Sequence, residues 1–196
     1  MAKIKNNKKH TKKEVIFQEA AKLFKQKSYA AASMRDLADA LGIVAPSLYN
    51  HIGSKGELLQ MICFKVANAF TEHLVMVKNT HSTPQQELES IIRFHIRMIQ
   101  ENFDEVYVAN QEWKHLQEPF LTNFLIQRRA YESAMIDIIE TGVKKNTFRK
   151  TNPYIAVLSI LSVVRGIEFW QRKKRDISAD SLEDTLVDFL LNGLLK

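Results

Sequence analysis

Apolar residues recur every three or four positions along most of the chain, which is the spacing that one buried face of a helix requires. No strand-like alternation of apolar and polar residues extends beyond four positions. The pattern predicts an all-α fold of about nine helices. The predicted helices cover residues 12–27, 34–41, 45–51, 54–79, 84–101, one or two short segments in 104–116, 119–142, 153–170 and 178–195.

Residues that begin and end helices are concentrated in the first third of the sequence. Ser33 stands three residues before Asp36, which is the spacing of a capped helix start. Gly42 follows the short helix where a left-handed backbone is needed, and it marks a tight turn before the next helix. Ser54 and Glu57 have the spacing of a capping box at the start of a long helix. Two short helices joined by a tight turn after a longer helix predict a helix-turn-helix.

Charge is distributed unevenly along the 196 residues. Residues 1–55 carry eleven basic and four acidic side chains, whereas residues 56–196 carry 17 basic and 18 acidic ones. The excess positive charge of +7 therefore lies in the helix-turn-helix segment and the arm before it. Such an asymmetry favours a polyanionic partner, with nucleic acid ahead of an anionic membrane surface.

The second short helix has the composition of a helix that enters the major groove of DNA. Its first residues are small, so the backbone can approach the bases. Leu48 and Ile52 are expected to point inward and hold the helix on its support. Tyr49 and His51 are expected to point outward, where a phenol and an imidazole can donate to phosphate oxygens.

The ordered string Ser33–Ala38, Leu41–Ile43 and Ser47–Leu59 resembles the DNA-binding domain of TetR-family transcriptional regulators over about residues 12–60. The resemblance implies an all-helical homodimer that binds double-stranded operator DNA and responds to a small-molecule effector. It implies a basic arm at 1–11, a DNA-binding domain at 12–55 and a ligand-binding and dimerisation domain at 56–196. Carried over by position, it assigns phosphate contacts to Ser33, Tyr49, His51 and Lys55, and base contacts to Arg35, Ala45 and Ser47. Val44 departs from the family pattern, which commonly has a capping Ser or Thr there.

A weaker resemblance covers the C-terminal part. The stretches Glu112–Leu116 and Arg128–Glu132, with Gly142 and Phe148, are similar to regulators of fatty-acid degradation that sense acyl-coenzyme A. Aromatic residues and Met at helical spacing could line an apolar cavity, and an Arg could hold an anionic group at its mouth. Core packing is the competing interpretation for each of these side chains. The candidate ligand residues are Phe70, Phe94, His95, Met98, Trp113, Phe124, Arg128 and Tyr131.

Catalytic, metal and membrane functions find little support in the sequence. It has no zinc-protease motif, nucleophile elbow or phosphate-binding glycine loop, so no enzyme activity, cofactor or metal is expected. Glu112 and His115 match half of a carboxylate di-iron motif, which leaves a helical ligand- or metal-binding protein as the alternative. The single cysteine, Cys63, is expected to be a buried thiol. No apolar run reaches 18 residues, and the basic N-terminus lacks the apolar segment of a signal peptide, so a cytoplasmic protein is expected.

The last two predicted helices point to a subunit interface. The helix that starts at Pro153 is apolar on nearly every side and must be buried on most faces. We expect this helix and the final helix to pair with their copies in a second subunit, which gives a four-helix bundle with two-fold symmetry. Charged substitutions at Val164 or Leu190 are expected to produce monomers, and Gly166 is expected to permit close approach of helices.

Overall fold

A computed structural model describes residues 11–80, 82–170 and 178–195. Within these ranges the fold is all-helical, as predicted, and its only β feature is an isolated bridge between Phe148 and Leu195. The helices are α1 (Lys12–Lys27), α2 (Met34–Leu41), α3 (Ala45–Tyr49), α4 (Lys55–Asn79), α5 (Pro84–Glu101), α6 (Phe103–Gln111), a 3-10 turn (Trp113–His115), α7 (Phe120–Lys144), α8 (Pro153–Trp170) and α9 (Ala179–Asn192). Residues 1–10 of the predicted arm at 1–11 and the basic cluster Arg172–Arg175 lie outside the described residues.

The described chain forms two compact units. The first comprises the chain up to Ala67 together with Asp104–Leu125, and the second comprises Asn68–Phe103 and the chain from Ile126 onward. The division therefore falls within α4 and α7, whereas the sequence suggested a boundary between 55 and 56. The first half of α4 joins α1, α2 and α3 in the first unit because its apolar face is completely buried. The α4 residues with no exposed surface in this unit are Leu58, Leu59, Ile62 and Cys63.

Ion pairs tie α6 to two other helices of the first unit. Asp104 accepts from the ammonium of Lys25 on α1. Glu105, which is buried, accepts from Lys65 on α4 at 2.9 Å. These contacts and the apolar residues of α6 explain why the segment from Asp104 to Leu125 belongs with the first unit although it lies far away in sequence.

The core of the second unit is built around α5, which contacts both α8 and α9. Buried apolar residues on α5 recur at helical spacing, and Thr83 and Gln86 close a capping box at its start. On its polar side, Arg93 and Arg97 both donate to the buried carboxylate of Glu183 on α9, at 3.0 and 2.8 Å. Removing either arginine would take a hydrogen bond and a positive charge away from the Glu183 carboxylate. Because that carboxylate is buried, the loss would lower the stability of the fold.

Gly142 does not stop α7, because the helix continues to Lys144. The residue that takes up a left-handed conformation after the helix is Asn146, with φ of 58°. Gly142 instead provides space, since a Cβ built there would lie 2.1 Å from the ring of Phe148. The glycine therefore permits the fully buried Phe148 to pack against the last turns of α7.

The exposed faces of α8 and α9 differ from those the sequence suggested. Val164 is completely buried and Leu190 is only 8% exposed, so both side chains belong to the core of the second unit. A charge at either position would disrupt this core, so a loss of the dimer in such a variant would not by itself report on a subunit interface. The apolar side chains that reach the surface include Ile155 and Leu158 on α8, at 56% and 52%, and Phe189 on α9, at 72%.

Candidate nucleic-acid interface and effector region

The helix-turn-helix is fixed by local caps. The hydroxyl of Ser33 accepts from the N–H of Asp36 at 3.1 Å, and the carboxylate of Asp36 accepts from the N–H of Ser33 at 2.8 Å. Lys27 on α1 donates to Asp36 at 2.7 Å, and this contact holds the pKa of that carboxyl below its usual range. Gly42 ends α2 with φ of 66° and ψ of 32°, as the tight turn requires.

The second helix of the motif, α3, is short and has no side-chain cap. Val44 occupies the cap position and is 70% exposed, so the missing cap that the sequence indicated is a feature of the structure. Leu48 and Ile52 are buried, as predicted, and they anchor the helix to its support. The backbone N–H of Ser47 bonds to the carbonyl of Val44 at 2.9 Å, which supplies the first turn with a backbone bond.

The proposed DNA contacts lie on the surface of the first unit. The side chains of Ser33, Arg35, Tyr49 and His51 are exposed, and those of Ala45 and Ser47 are half-buried. A phenol that is 52% exposed, as in Tyr49, can reach a ligand without disturbing the core. The surface therefore has the donors that phosphate contacts need and small residues where a helix must approach bases.

Lys55 has an internal role that the sequence did not suggest. Its ammonium donates to the backbone carbonyls of Tyr29 and Ala32, both at 2.9 Å, and lies 4.3 Å from the centre of the Tyr29 ring. These bonds join the start of α4 to the turn between α1 and α2. An ammonium has three N–H donors, so one remains for a phosphate oxygen.

Tyr29 is a structural residue that sequence analysis overlooked. Its ring packs edge-on against Phe24 at 5.2 Å and stacks on His115 at 5.2 Å. Burial raises the pKa of its phenol. No local pattern marks Tyr29, because His115 lies 86 positions further along the chain and only the fold brings the two rings together.

Four of the eight candidate ligand residues meet in the second unit. Phe70 on α4 stacks on His95 at 4.2 Å, packs edge-on against Phe94 at 5.7 Å and lies 6.0 Å from Tyr131 on α7. His73 extends this row, because its ring stacks on Phe94 at 4.0 Å. We call these five rings, from α4, α5 and α7, the aromatic row.

His95 is the most perturbed group in the aromatic row. Its Nε2 and the Tyr131 hydroxyl form a hydrogen bond of 2.9 Å. Burial, reinforced by the positive charge of Arg165, lowers the pKa of His95 to about 3. Burial likewise raises the pKa of Tyr131, so both groups are neutral at pH 7. The pair places one polar contact in an otherwise aromatic environment, the combination typical of ligand pockets.

The other four candidates lie elsewhere. Trp113 starts the 3-10 turn and Phe124 packs against Phe64 at 5.8 Å, and both belong to the first unit. In the second unit, the Met98 sulfur accepts from the Asn102 amide at 3.7 Å. Arg128 is half-buried on α7.

The metal-binding alternative lacks a ligand set in the part of the chain that the structure describes. His115 and Glu112 approach one another to 3.4 Å, and no group of three or more His, Cys, Asp or Glu residues is placed to hold an ion there. Among the same residues, no helix combines the length and hydropathy needed to cross a membrane.

Comparison with family models identifies the class of protein. Residues 16–62 match the model described as bacterial regulatory proteins, tetR family, and residues 81–194 match the model of the tetracyclin repressor-like C-terminal domain. The chain therefore belongs to the TetR family of transcriptional regulators. It is a DNA-binding regulator rather than an enzyme, and the di-iron alternative is set aside.

Individual relatives resemble the chain over nearly its whole length. The HTH-type transcriptional repressor KstR2 of Mycolicibacterium smegmatis is 22% identical over 95% of this chain and 92% of its own length. The structure of the ketosteroid regulator KstR2 of Mycobacterium tuberculosis superposes with a TM-score of 0.89 at 18% identity, over 95% of this chain and 96% of its own. AibR, solved in complex with isovaleryl coenzyme A and operator DNA, gives a TM-score of 0.80 at 23% identity, over 92% and 98%. At these identities, the two structures establish the shared fold.

Proposed function

We propose that this TetR-family protein is a homodimeric repressor that leaves its operator when a small effector binds the C-terminal region. The observation that supports this proposal most directly is a group of exposed polar side chains on a capped helix-turn-helix: Ser33, Arg35, Tyr49 and His51. They lie in the segment that holds the excess positive charge. The KstR2 relatives, which are named as repressors, support the direction of regulation.

The proposed dimer rests on the outer faces of α8 and α9. Ile155, Leu158 and Phe189 are large apolar side chains that are more than half exposed within one chain. Ser159 and Ser162 are exposed on the same helix, where small side chains let a neighbouring helix approach closely. Pairing with a second copy across a two-fold axis would bury this surface, as in most soluble homo-oligomers. Two linked DNA-binding domains would then read successive major grooves, about 34–36 Å apart.

Helix α4 is the proposed transmission element. It runs without interruption from Lys55, which is bonded to the turn after α1, to Asn79, and it contributes Phe70 and His73 to the aromatic row. An effector that wedges the aromatic row apart would displace this part of α4. The shift would take the two recognition helices out of register. A hundredfold preference of the effector for the non-binding state corresponds to about 2.7 kcal/mol per site.

An acyl-coenzyme A thioester is the proposed effector. Its acyl chain suits the apolar rings of Phe70 and Phe94, and Arg128 or Arg129 could bind a phosphate of the coenzyme. The effector complex of AibR offers a precedent for a thioester on the same fold.

The test is a DNA-binding titration. The full chain is first mixed with genomic DNA fragments at increasing salt, where a true operator complex loses affinity steeply. Long-chain acyl-coenzyme A is then added to the complex, with free coenzyme A as the control. Release by the thioester alone would support the proposed effector. Unchanged DNA affinity at saturating thioester would remove this ligand class, and salt-insensitive or absent DNA binding would contradict the operator-binding role.

A further inference from the structure

A groove in the second unit lies between the last turns of α4 and the first turns of α5. It consists of two cavities, of about 280 and 570 Å³, which share His73, Gln86 and Ser90. Arg93, Arg97 and Phe94 line the smaller cavity, and Met76 and Val77 line the larger one. We call this space the α4–α5 groove. It meets the aromatic row only at His73 and Phe94.

The groove contains an excess of unused hydrogen-bond donors. The side-chain oxygen of Gln86 accepts from both the N–H and the hydroxyl of Thr83, which fixes the amide and leaves its NH₂ group without an acceptor among the described residues. Arg97 uses Nε and Nη2 on Glu183, so Nη1 is unused within the same part of the chain. Arg93 uses Nε on Glu89 and Nη1 on Glu183 and Asp184, so its Nη2 is unused likewise.

His73 adds a buried polar atom to this set. Its Nε2 is 3.3 Å from the Ser90 hydroxyl, while its Nδ1 is buried and has no partner in the described structure. Burial and the positive charge of Arg97 lower the pKa of His73, so the ring is neutral at pH 7. If Ser90 donates to Nε2, the proton of the ring lies on Nδ1, which is then a buried donor. Such an unmet buried group costs about 1–3 kcal/mol and calls for an explanation.

We propose that the α4–α5 groove is a binding site for a small organic carboxylate with an apolar body. Two carboxylate oxygens offer about four acceptor positions. They match the unused donors of Gln86, Arg93 and Arg97, and also the Nδ1–H of His73 in the tautomer in which Ser90 donates to Nε2. The aromatic face of Phe94 and the side chains of Met76 and Val77 suit the apolar body. Glu89, Glu183 and Asp184 all pair with Arg93, and Glu183 also pairs with Arg97, so the two arginines and three carboxylates carry a formal net charge of −1. The site would therefore attract the ligand through oriented N–H groups and not through net charge.

This site shares Phe94 and His73 with the aromatic row that the proposed acyl-coenzyme A effector would enter. The inference rests on the groove's own donors and does not depend on that effector. Glu183 anchors α9 to α5 through the same two arginines that line the groove. A carboxylate bound here would therefore lie next to the contact that holds one of the proposed dimer helices.

The test measures binding directly on the full chain by isothermal titration calorimetry. The probes are hexanoate and phenylacetate, at up to about 10 mM, with hexanamide and phenylacetamide as neutral controls. We expect at least one carboxylate to bind with a Kd of about 1 mM or below, and its amide to bind at least tenfold more weakly. Absence of heat and of thermal stabilisation with both carboxylates at about 10 mM would overturn the site.

Matched variants locate the bound probe. Gln86→Glu keeps the capping box, because Glu also serves at that position, but it replaces the NH₂ donor with a carboxylate. Gln85→Glu makes the same charge change one residue earlier, at a position outside the groove lining. His73→Phe keeps a ring against Phe94 and removes Nδ1. We expect at least tenfold weaker binding for Gln86→Glu and His73→Phe, and wild-type binding for Gln85→Glu.

Two outcomes separate this inference from the proposed function. Equal carboxylate affinity in the wild type and in Gln86→Glu would place the probe elsewhere and overturn the groove as its site. Carboxylate binding that Gln86→Glu abolishes supports the groove, whether or not the protein–DNA complex responds to acyl-coenzyme A.

Discussion

The imidazole Nε2 of His95 and the phenolic oxygen of Tyr131 lie 2.9 Å apart and join α5 to α7. The ring of Phe70 stacks on His95 at 4.2 Å and helps to shield this bond from water. The bond satisfies the Nε2 of His95 and the hydroxyl of Tyr131, so each partner favours the burial of the other.

Replacing Tyr131 by Phe is expected to lower the free energy of unfolding by about 1–3 kcal/mol, because a nitrogen of His95 would be buried without a partner. Urea denaturation of the wild type and the variant measures the difference. Tyr154→Phe is the control, since that tyrosine is 63% exposed and its change should have little effect. Equal stability of the wild type and Tyr131→Phe would mean that the hydrogen bond contributes nothing net.

Acid is expected to destabilise the protein through His95. The native pKa is about 3, whereas the unfolded side chain titrates near 6.5. The unfolded state therefore gains a proton as the pH falls below 6.5, and the native state does not until about pH 3. Protonation of His95 therefore leaves the free energy of unfolding unchanged above pH 6.5. It lowers this free energy as the pH falls toward 3, by about 1.4 kcal/mol per pH unit at most.

This dependence is measured by denaturation between about pH 6.5 and 5.5, where most carboxylates remain ionised. His95→Gln retains a polar group for Tyr131 but cannot take up this proton, so its stability should fall less steeply with acid. A residual slope is expected from His73, whose pKa is also lowered. If the free energy of unfolding fell equally steeply with pH in the wild type and in His95→Gln, His95 would not be the source of the acid sensitivity.

Tyr49→Ala is expected to weaken binding to every DNA sequence and to reduce the steepness of the salt dependence, because the phenol is proposed to contact phosphate rather than bases. The side chain is half exposed, so the fold should be retained. Fluorescence anisotropy at several salt concentrations gives both quantities. Ile126→Ala, which truncates a side chain that is 57% exposed on α7, should bind DNA normally. Normal binding by Tyr49→Ala would refute this docking.

Substitutions at the base-facing positions should act differently. Changes at Arg35 or Ser47 are expected to alter the preferred sequence, with a cost of about 1–3 kcal/mol at the affected base pair. Binding to a panel of operator variants distinguishes this pattern from the uniform loss expected for Tyr49→Ala.

Ile155→Glu and Phe189→Glu are expected to produce folded monomers that bind DNA poorly, because a charge at a desolvated apolar interface is costly. Sedimentation velocity at micromolar concentration measures the oligomeric state, and circular dichroism checks the fold. Ile126→Glu is the matched control, because Ile126 is 57% exposed on α7. A wild-type protein that sediments as a monomer would overturn the proposed interface.

Gly142→Ala is expected to destabilise the second unit by about 1–3 kcal/mol, because the added methyl group would collide with the buried ring of Phe148. Gly56→Ala is the comparison, since a Cβ there meets atoms no closer than 3.7 Å and should stabilise the helix by up to about 1 kcal/mol. Thermal unfolding of both variants tests the contrast. A neutral Gly142→Ala would show that the Phe148 ring can move aside at little cost.

Local residue patterns were enough to predict the helices, the caps and the DNA-binding motif. Helix formation depends on residues three or four apart, so the pairs Ser33 with Asp36 and Ser54 with Glu57 were visible as local spacing. Even here the fold adjusted a detail. The Glu57 carboxylate accepts from the N–H of Gly53 at 2.7 Å, one residue before the cap.

Packing between segments that are distant in sequence sets the role of several side chains. Lys55 was expected to face phosphate, yet it also bonds two carbonyls more than 20 residues earlier in the chain. Val164 is apolar like Ile155, but the first is in the core and the second at the surface, because an all-round apolar helix has no pattern that tells its faces apart. His73 carried no sequence signal, since its ring acquires its partners from α5. Contacts between distant segments depend on how the helices pack, and local periodicity does not contain that information.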